Sequence, residues 1–192
     1  MKNLLYILTL ILLFSSCTPK NKLDIIEGSS KEQSELLDIY FHIDSLMQHG
    51  IVDKEAYSIF IEKTLDFYRE FPEESAMPKM LWSAGITAMT YAKYAKELLN
   101  DPVIIIDYAR KSIQIFDIIQ KVYPDYENVK NTHLYRGVIY DDILEDYENA
   151  KYEYMEYINK YPNDSVSHNL KEYIKYIGIS ADEIYKSFNI SE

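Results

Sequence analysis

Three stretches of this sequence close on the same pair, an aromatic residue followed by proline: Phe71-Pro72, Tyr123-Pro124 and Tyr161-Pro162. Proline has no backbone N–H to donate and crowds the residue before it out of the helical region, so each pair ends a helix. The apolar residues ahead of each pair recur at three- and four-residue steps, the stripe of an amphipathic helix. A chain that stops its helices on the same two residues, 52 and then 38 positions apart, is constrained to repeat one packing unit. Only five glycines serve 192 residues, fewer than a β-sandwich or a dinucleotide-binding fold would want for its turns. No segment alternates with period two between turn signals, so the expected class is all-α, with antiparallel helix pairs stacked in a short array.

The pattern predicts seven helices and a short eighth. Leu36, Ile39, Tyr40, Ile43, Leu46 and Met47 form the stripe of the first, which Gly50 stops. Asp53 caps the second, with Ala56, Ile59, Phe60, Leu65 and Phe67 among its apolar positions. The third opens at Glu74 or Ser75, tolerates Pro78 in its first turn and runs to Asn100. The fourth follows Asp101-Pro102, the fifth covers Tyr126 to Leu144, and the sixth covers Tyr147 to Lys160. Asp164 or Ser165 caps the seventh, with Val166, Leu170, Tyr173, Ile174 and Ile177 on one face and Gly178 at its end. Ser180 opens the last, Ala181 to Phe188.

Gly85 and Gly137 fall inside helices, where glycine costs about 1 kcal/mol against alanine. That cost implies a neighbouring helix too close for a side chain. Gly137-x2-Tyr140, then Ala150-x3-Tyr154, then Pro162 resembles the tetratricopeptide repeat. In that family a small residue on one helix meets a small residue on the next, and an aromatic fills the gap. Gly85, Ser112-x3-Phe116 and Pro124 give an earlier unit with a longer helix pair, and Thr64, Phe67, Phe71 and Pro72 match the second half of a unit. His133 and Arg136 stand where the family prefers Trp and Leu. The resemblance covers residues 53–178 loosely and 130–162 best. It implies a short tetratricopeptide-like solenoid, closed by the seventh helix as a cap: Lys171 falls where the earlier helices carry glycine, and Lys171, Glu172 and Lys175 give the cap a polar outer face.

The formal charge of −11 argues against a nucleic-acid partner, because that affinity rests on Lys and Arg neutralising phosphates. One cysteine excludes an internal disulfide and a cysteine-based zinc site. His42 and His49 share a helix face without a third ligand, and Asp141, Asp142, Glu145, Asp146 and Glu148 lack the order of a calcium loop. No nucleophile elbow and no phosphate-cradling glycine loop is present. The expectation is a binding protein without catalysis, cofactor or metal. In such arrays the first helix of each pair lines the concave surface. The phase of Gly85 and Gly137 then nominates Lys79, Trp82, Ile86 and Met89 on one helix and Asn131, Leu134, Val138 and Asp141 on the other as a partner-binding groove. Nineteen tyrosines raise an alternative, a glycan-binding surface, for which Tyr152, Tyr126 and Trp82 would have to expose their rings on one plane.

The start of the chain reads as an address. Lys2 is followed by an apolar run from Leu4 to Phe14, broken only by Thr9 and short of the roughly 20 residues of a membrane span. Leu13-Phe14-Ser15-Ser16-Cys17 resembles a bacterial lipobox, whose cysteine becomes the acylated first residue of the mature protein. Residues 1–16 are then a signal peptide, 17–30 a flexible tether and 31–192 the helical-repeat domain. The lipobox together with repeats ending in Tyr-Pro is similar to the outer-membrane-anchored, periplasm-facing repeat lipoproteins. That likeness implies a cell-envelope scaffold held by acyl chains and binding envelope proteins, with outer-membrane protein assembly among the roles of such lipoproteins. Cys17→Ala is expected to abolish labelling by a fatty-acid analogue and to release the chain from the membrane fraction. Unchanged membrane association of that variant would contradict the lipid anchor.

Overall fold

The computed structural model describes residues 31–49, 51–179 and 183. Its helices are α1 (Lys31–Gln48), α2 (Lys54–Glu70), α3 (Met77–Tyr94), α4 (Pro102–Val122), α5 (Asn131–Val138), α6 (Tyr147–Lys160) and α7 (Ser165–Tyr173). There is no strand among the described residues. A π-helical turn extends α3 over Ala95–Leu99 and α5 over Ile139–Ile143, and a 3-10 turn extends α7 over Ile174–Tyr176. Cys17, the tether, Gly50 and all but Glu183 of the expected last helix lie outside the described residues.

The three aromatic–proline pairs form one repeated corner. Phe71, Tyr123 and Tyr161 share a backbone conformation, with φ of −132°, −124° and −129° and ψ of 57°, 60° and 56°. Each donates its N–H to the carbonyl four residues back, on Phe67, Ile119 and Tyr157. Each also accepts from the N–H three residues on, at Glu74, Tyr126 and Asp164. The proline that follows excludes the helical ψ, so the turn is dictated locally. The Tyr123 hydroxyl donates to the Pro72 carbonyl at 2.6 Å and joins two of these corners at one end of the molecule.

The opposite corners repeat as well. Ile51, Asn100 and Leu144 each donate a backbone N–H to the carbonyl five residues back. The left-handed residues there are Asn100 and Glu145, with φ of 51° and 56°. Aspartates then restart the helices: the side chains of Asp53, Asp101 and Asp146 accept from free N–H groups in the first turns of α2, α4 and α6, a cap worth about 1 kcal/mol. Lys96 Nζ donates to the Asp142 carbonyl and to Glu145 Oε1, both at 2.7 Å, and joins the α3–α4 corner to the α5–α6 corner.

Between the two ends the helices meet where the glycines demand it. The Ser112 hydroxyl donates to the Gly85 carbonyl at 2.8 Å. A Cβ on Gly85 would lie 2.9 Å from the Phe116 ring, and one on Gly137 would overlap the ring of Tyr154. The core divides into a large cluster over α1 to α5, including Tyr57, Phe60, Leu81, Trp82, Phe116, Ile119 and Tyr135, and a smaller one of Ala150, Tyr154, Tyr157, Ile158, Leu170 and Ile177. Lys171, Glu172 and Lys175 on the α7 segment are exposed.

Two boundaries differ from the sequence pattern. α3 begins at Met77 rather than Glu74 or Ser75, and α5 begins at Asn131 rather than Tyr126. The chain between Tyr123 and Thr132 instead closes consecutive three-residue turns, Tyr126 to Tyr123, Val129 to Tyr126 and Asn131 to Asn128. Gly137→Ala tests the crossing by its sign. On an open helix face that change stabilises by about 1 kcal/mol; here it should destabilise by roughly 1–3 kcal/mol, the cost of overpacking. Trimming Tyr154 to Leu in the same chain should recover part of the loss in thermal melts followed by circular dichroism. A raised melting temperature for Gly137→Ala alone would contradict the crossing.

Candidate functional site

The residues nominated for an open groove are not all open. Trp82 is only 9% exposed and packs edge-on against Tyr135, Phe116 and Tyr126, with ring centroids 5.1, 5.4 and 6.2 Å away. The reason is tertiary: Phe116 of α4, Tyr135 of α5 and Tyr126 just before α5 close over the indole. Helix phase alone does not reveal this, since Met89 and Leu134 stand at like offsets from their glycines and keep an open side. Asp141 is buried too, and its carboxylate accepts from the Tyr173 hydroxyl at 2.6 Å. Of the other six, Lys79 is exposed and Ile86, Met89, Asn131, Leu134 and Val138 are half-buried. Ile86 and Met89 rest on the large core, and Leu134 and Val138 rest on the small one. Lys79 borders a small cavity of about 30 Å³ with Leu36, Phe60, Met80 and Ser83 among its walls. The Asn131 amide reaches Asn128 Oδ1 at 3.5 Å. The three-ring platform that glycan binding would need is not formed either: Tyr152 is 60% exposed, but Tyr126 is half-buried against the buried Trp82.

The strongest polar feature is one the groove argument did not use. His133 and Arg136 of α5 face Glu153 and Lys160 of α6 on one side and Asp117 and Gln120 of α4 on the other. Arg136 bonds Glu153 Oε2 at 2.7 Å through Nη2 and pairs with Asp117 through Nη1. His133 Nδ1 lies 2.8 Å from the same Glu153 oxygen, and its Nε2 lies 3.0 Å from Lys160 Nζ with the Gln120 amide beside it. An ammonium only donates, so Nε2 accepts and the ring proton sits on Nδ1, donated to Glu153. His133, Arg136 and Glu153 are all buried. The buried charges of Arg136 and Glu153 cancel, which is the condition for burying them together, while Asp117 is half-buried and Lys160 exposed at the edge of the cluster.

Both ring nitrogens of His133 are engaged, so the cluster offers no free base; what it does is join three successive helices. Its signal was present in the spacing. Asp117 and Gln120, and His133 and Arg136, are three apart, and Glu153 and Lys160 are seven apart, so each pair shares one helix face. A second polar set surrounds the buried Asp141, with Tyr154 buried beside it and Tyr173 reaching it from the exposed side. Burial pushes its carboxyl above the usual range, against the hydrogen bond from Tyr173. Burial and the neighbouring Asp141 likewise raise the Tyr154 and Tyr173 hydroxyls.

Among the described residues no group of three or more His, Cys, Asp or Glu side chains is placed to hold a metal ion, and no helix is long and apolar enough to cross a membrane. No protein-family model, curated protein or solved structure matches the chain.

The ionic cluster makes a testable distinction between breaking a buried pair and replacing it. Arg136→Leu alone should cost roughly 3–5 kcal/mol, because Glu153 is left buried without its cation. The triple variant His133→Trp, Arg136→Leu and Glu153→Leu removes the charges together and should regain most of that loss in urea unfolding. Equal instability of the single and triple variants would show that packing, not charge, dominates there.

Proposed function

We propose that this chain is a non-catalytic, lipid-anchored scaffold of the bacterial cell envelope, whose helix pairs stack as a short tetratricopeptide-like solenoid and bind another protein. The observation that carries this reading is the recurrence of one unit. The aromatic–proline corner appears three times with the same backbone angles, and an inward glycine meets an aromatic ring in both the α3–α4 and the α5–α6 pair. Arrays of this kind bind extended partners along their first helices. With Trp82 and Asp141 assigned to the interior, the binding row reduces to Lys79, Ile86 and Met89 of α3 and Asn131, Leu134 and Val138 of α5. Lys79 is exposed and the other five half-buried, so the row supplies an apolar strip with a polar rim, the usual anatomy of an interface. Outer-membrane protein assembly is one setting in which such a scaffold would serve.

The test is affinity purification of the acylated chain from envelope extracts, followed by binding measurements with the captured protein. Met89→Ala and Leu134→Ala together should weaken capture by about 2 kcal/mol or more, roughly thirtyfold, while melting stays cooperative. Tyr152→Ala, on the exposed side of α6, should leave capture unchanged. Capture that is insensitive to the first pair, or that is lost on competition with soluble oligosaccharide, would contradict the reading.

A further inference from the structure

The corner between α3 and α4 carries the most exposed aliphatic side chains among the described residues. Leu98 and Leu99 end the π-helical turn and are 70% and 45% exposed; Val103 and Ile106, one turn apart at the start of α4, are 77% and 42% exposed. Four large aliphatic residues within nine positions form a projecting apolar tip, and Ile51 at the α1–α2 corner is exposed as well. The Lys96 contact with Asp142 and Glu145 brings the α5–α6 corner beside this tip.

The charges around the tip set it apart from the rest of an acidic chain. Glu97 pairs with Lys93 at 3.9 Å, Glu145 with Lys96 at 2.7 Å and Asp107 with Lys111 at 3.0 Å. The Asp101 carboxylate accepts from the Val103 and Ile104 N–H groups. Within residues 93–111 the acids Glu97, Asp101 and Asp107 are each held by a lysine or by helix N–H groups, and Lys93, Lys96, Arg110 and Lys111 outnumber them. Asp142 and Asp146 of the neighbouring corner are the further acids beside the tip. An apolar projection on a segment without net negative charge suits entry among lipid headgroups, which the net charge of −11 would otherwise oppose. Its side chains are aliphatic and exposed, which suits acyl chains better than the aromatic pockets typical of protein hot spots.

We propose that this tip is a second membrane contact, inserting Leu98, Leu99, Val103 and Ile106 into the lipid surface to which Cys17 is anchored. The inference rests on the anchoring reading of the lipobox. The fourteen residues 17–30 span at most roughly 46–50 Å, and α1, with 18 residues, is about 27 Å long. Since α1 begins at the aromatic–proline end, the tether is long enough to run past α1 and let the opposite, apolar end face the bilayer. Tethering also keeps the tip at high local concentration beside the lipid, so a contact too weak to recruit the domain from solution is enough to orient it.

Val103→Cys, labelled with an environment-sensitive dye in the acylated full chain, tests this directly in phosphatidylcholine–phosphatidylethanolamine vesicles. The dye should shift to the blue and be quenched severalfold by doxyl-labelled lipid. The same dye at Val122→Cys, exposed at the other end of α4, should stay water-like. A Val103 dye that behaves like the Val122 dye, or that shifts only when envelope protein is added, would overturn the membrane contact while leaving the anchor intact. Mass analysis of the Cys17 peptide judges the anchor separately. If Cys17 carries no acyl group, the anchoring reading falls. The tip is then decided with the Cys17→Ser chain held on nickel-chelating lipid through an N-terminal histidine tag, where the same shift supports insertion and its absence overturns it.

Discussion

The structure depends on two places where a helix has no side chain to hold its neighbour away. At Gly85 the missing Cβ lets the Ser112 hydroxyl reach a main-chain carbonyl at 2.8 Å and seats Phe116 against the helix. At Gly137 the same absence admits the ring of Tyr154. An aromatic ring pressed on a bare backbone fixes the axial position of one helix on the other, since sliding by a residue would drive the ring into a side chain. The corners then need only be short and local, and they are: an aspartate starts each of α2, α4 and α6, and an aromatic–proline pair ends it.

Successive pairs are held to one another by different means. α5 meets α4 and α6 through the Arg136–Glu153–Asp117 and His133–Lys160 contacts. Buried ion clusters contribute little net stability relative to well-packed apolar groups, but they penalise any arrangement that separates the charges. That penalty discriminates against a shifted register of α5 on α4, a contact that neither glycine crossing touches. At the far side, α7 closes the small core with Leu170 and Ile177 and turns Lys171, Glu172 and Lys175 to solvent.

What was legible in the sequence was what is decided locally. The proline stops, the aspartate caps and the costly interior glycines each act within a few residues, and each led to the feature observed. The starts of α3 and α5 were not legible because neither has a side-chain cap: Ala76 and Lys130 stand at those positions without a capping hydrogen bond. The phase of Gly85 nominates Trp82 for the groove, but that phase carries no sign of Tyr126 and Tyr135, which come from later in the chain and close over it. The ionic cluster depends on contacts between residues 13 to 27 positions apart, so the spacing places each pair on one helix face and the odd residues at His133 and Arg136 stand out, but nothing local says which faces meet. The binding row is the least legible part, because half-buried apolar residues serve packing and recognition alike.

The central claim is that ring-on-glycine crossings set the repeat, and nuclear magnetic resonance reads it without altering the chain. A proton held over an aromatic face is shifted upfield by the ring current. The Gly137 Hα protons should therefore resonate upfield of ordinary helical glycine and show cross-relaxation to the Tyr154 ring, with the same relation between Gly85 and Phe116. Glycine Hα resonances at ordinary helical positions, without contacts to either ring, would contradict the account.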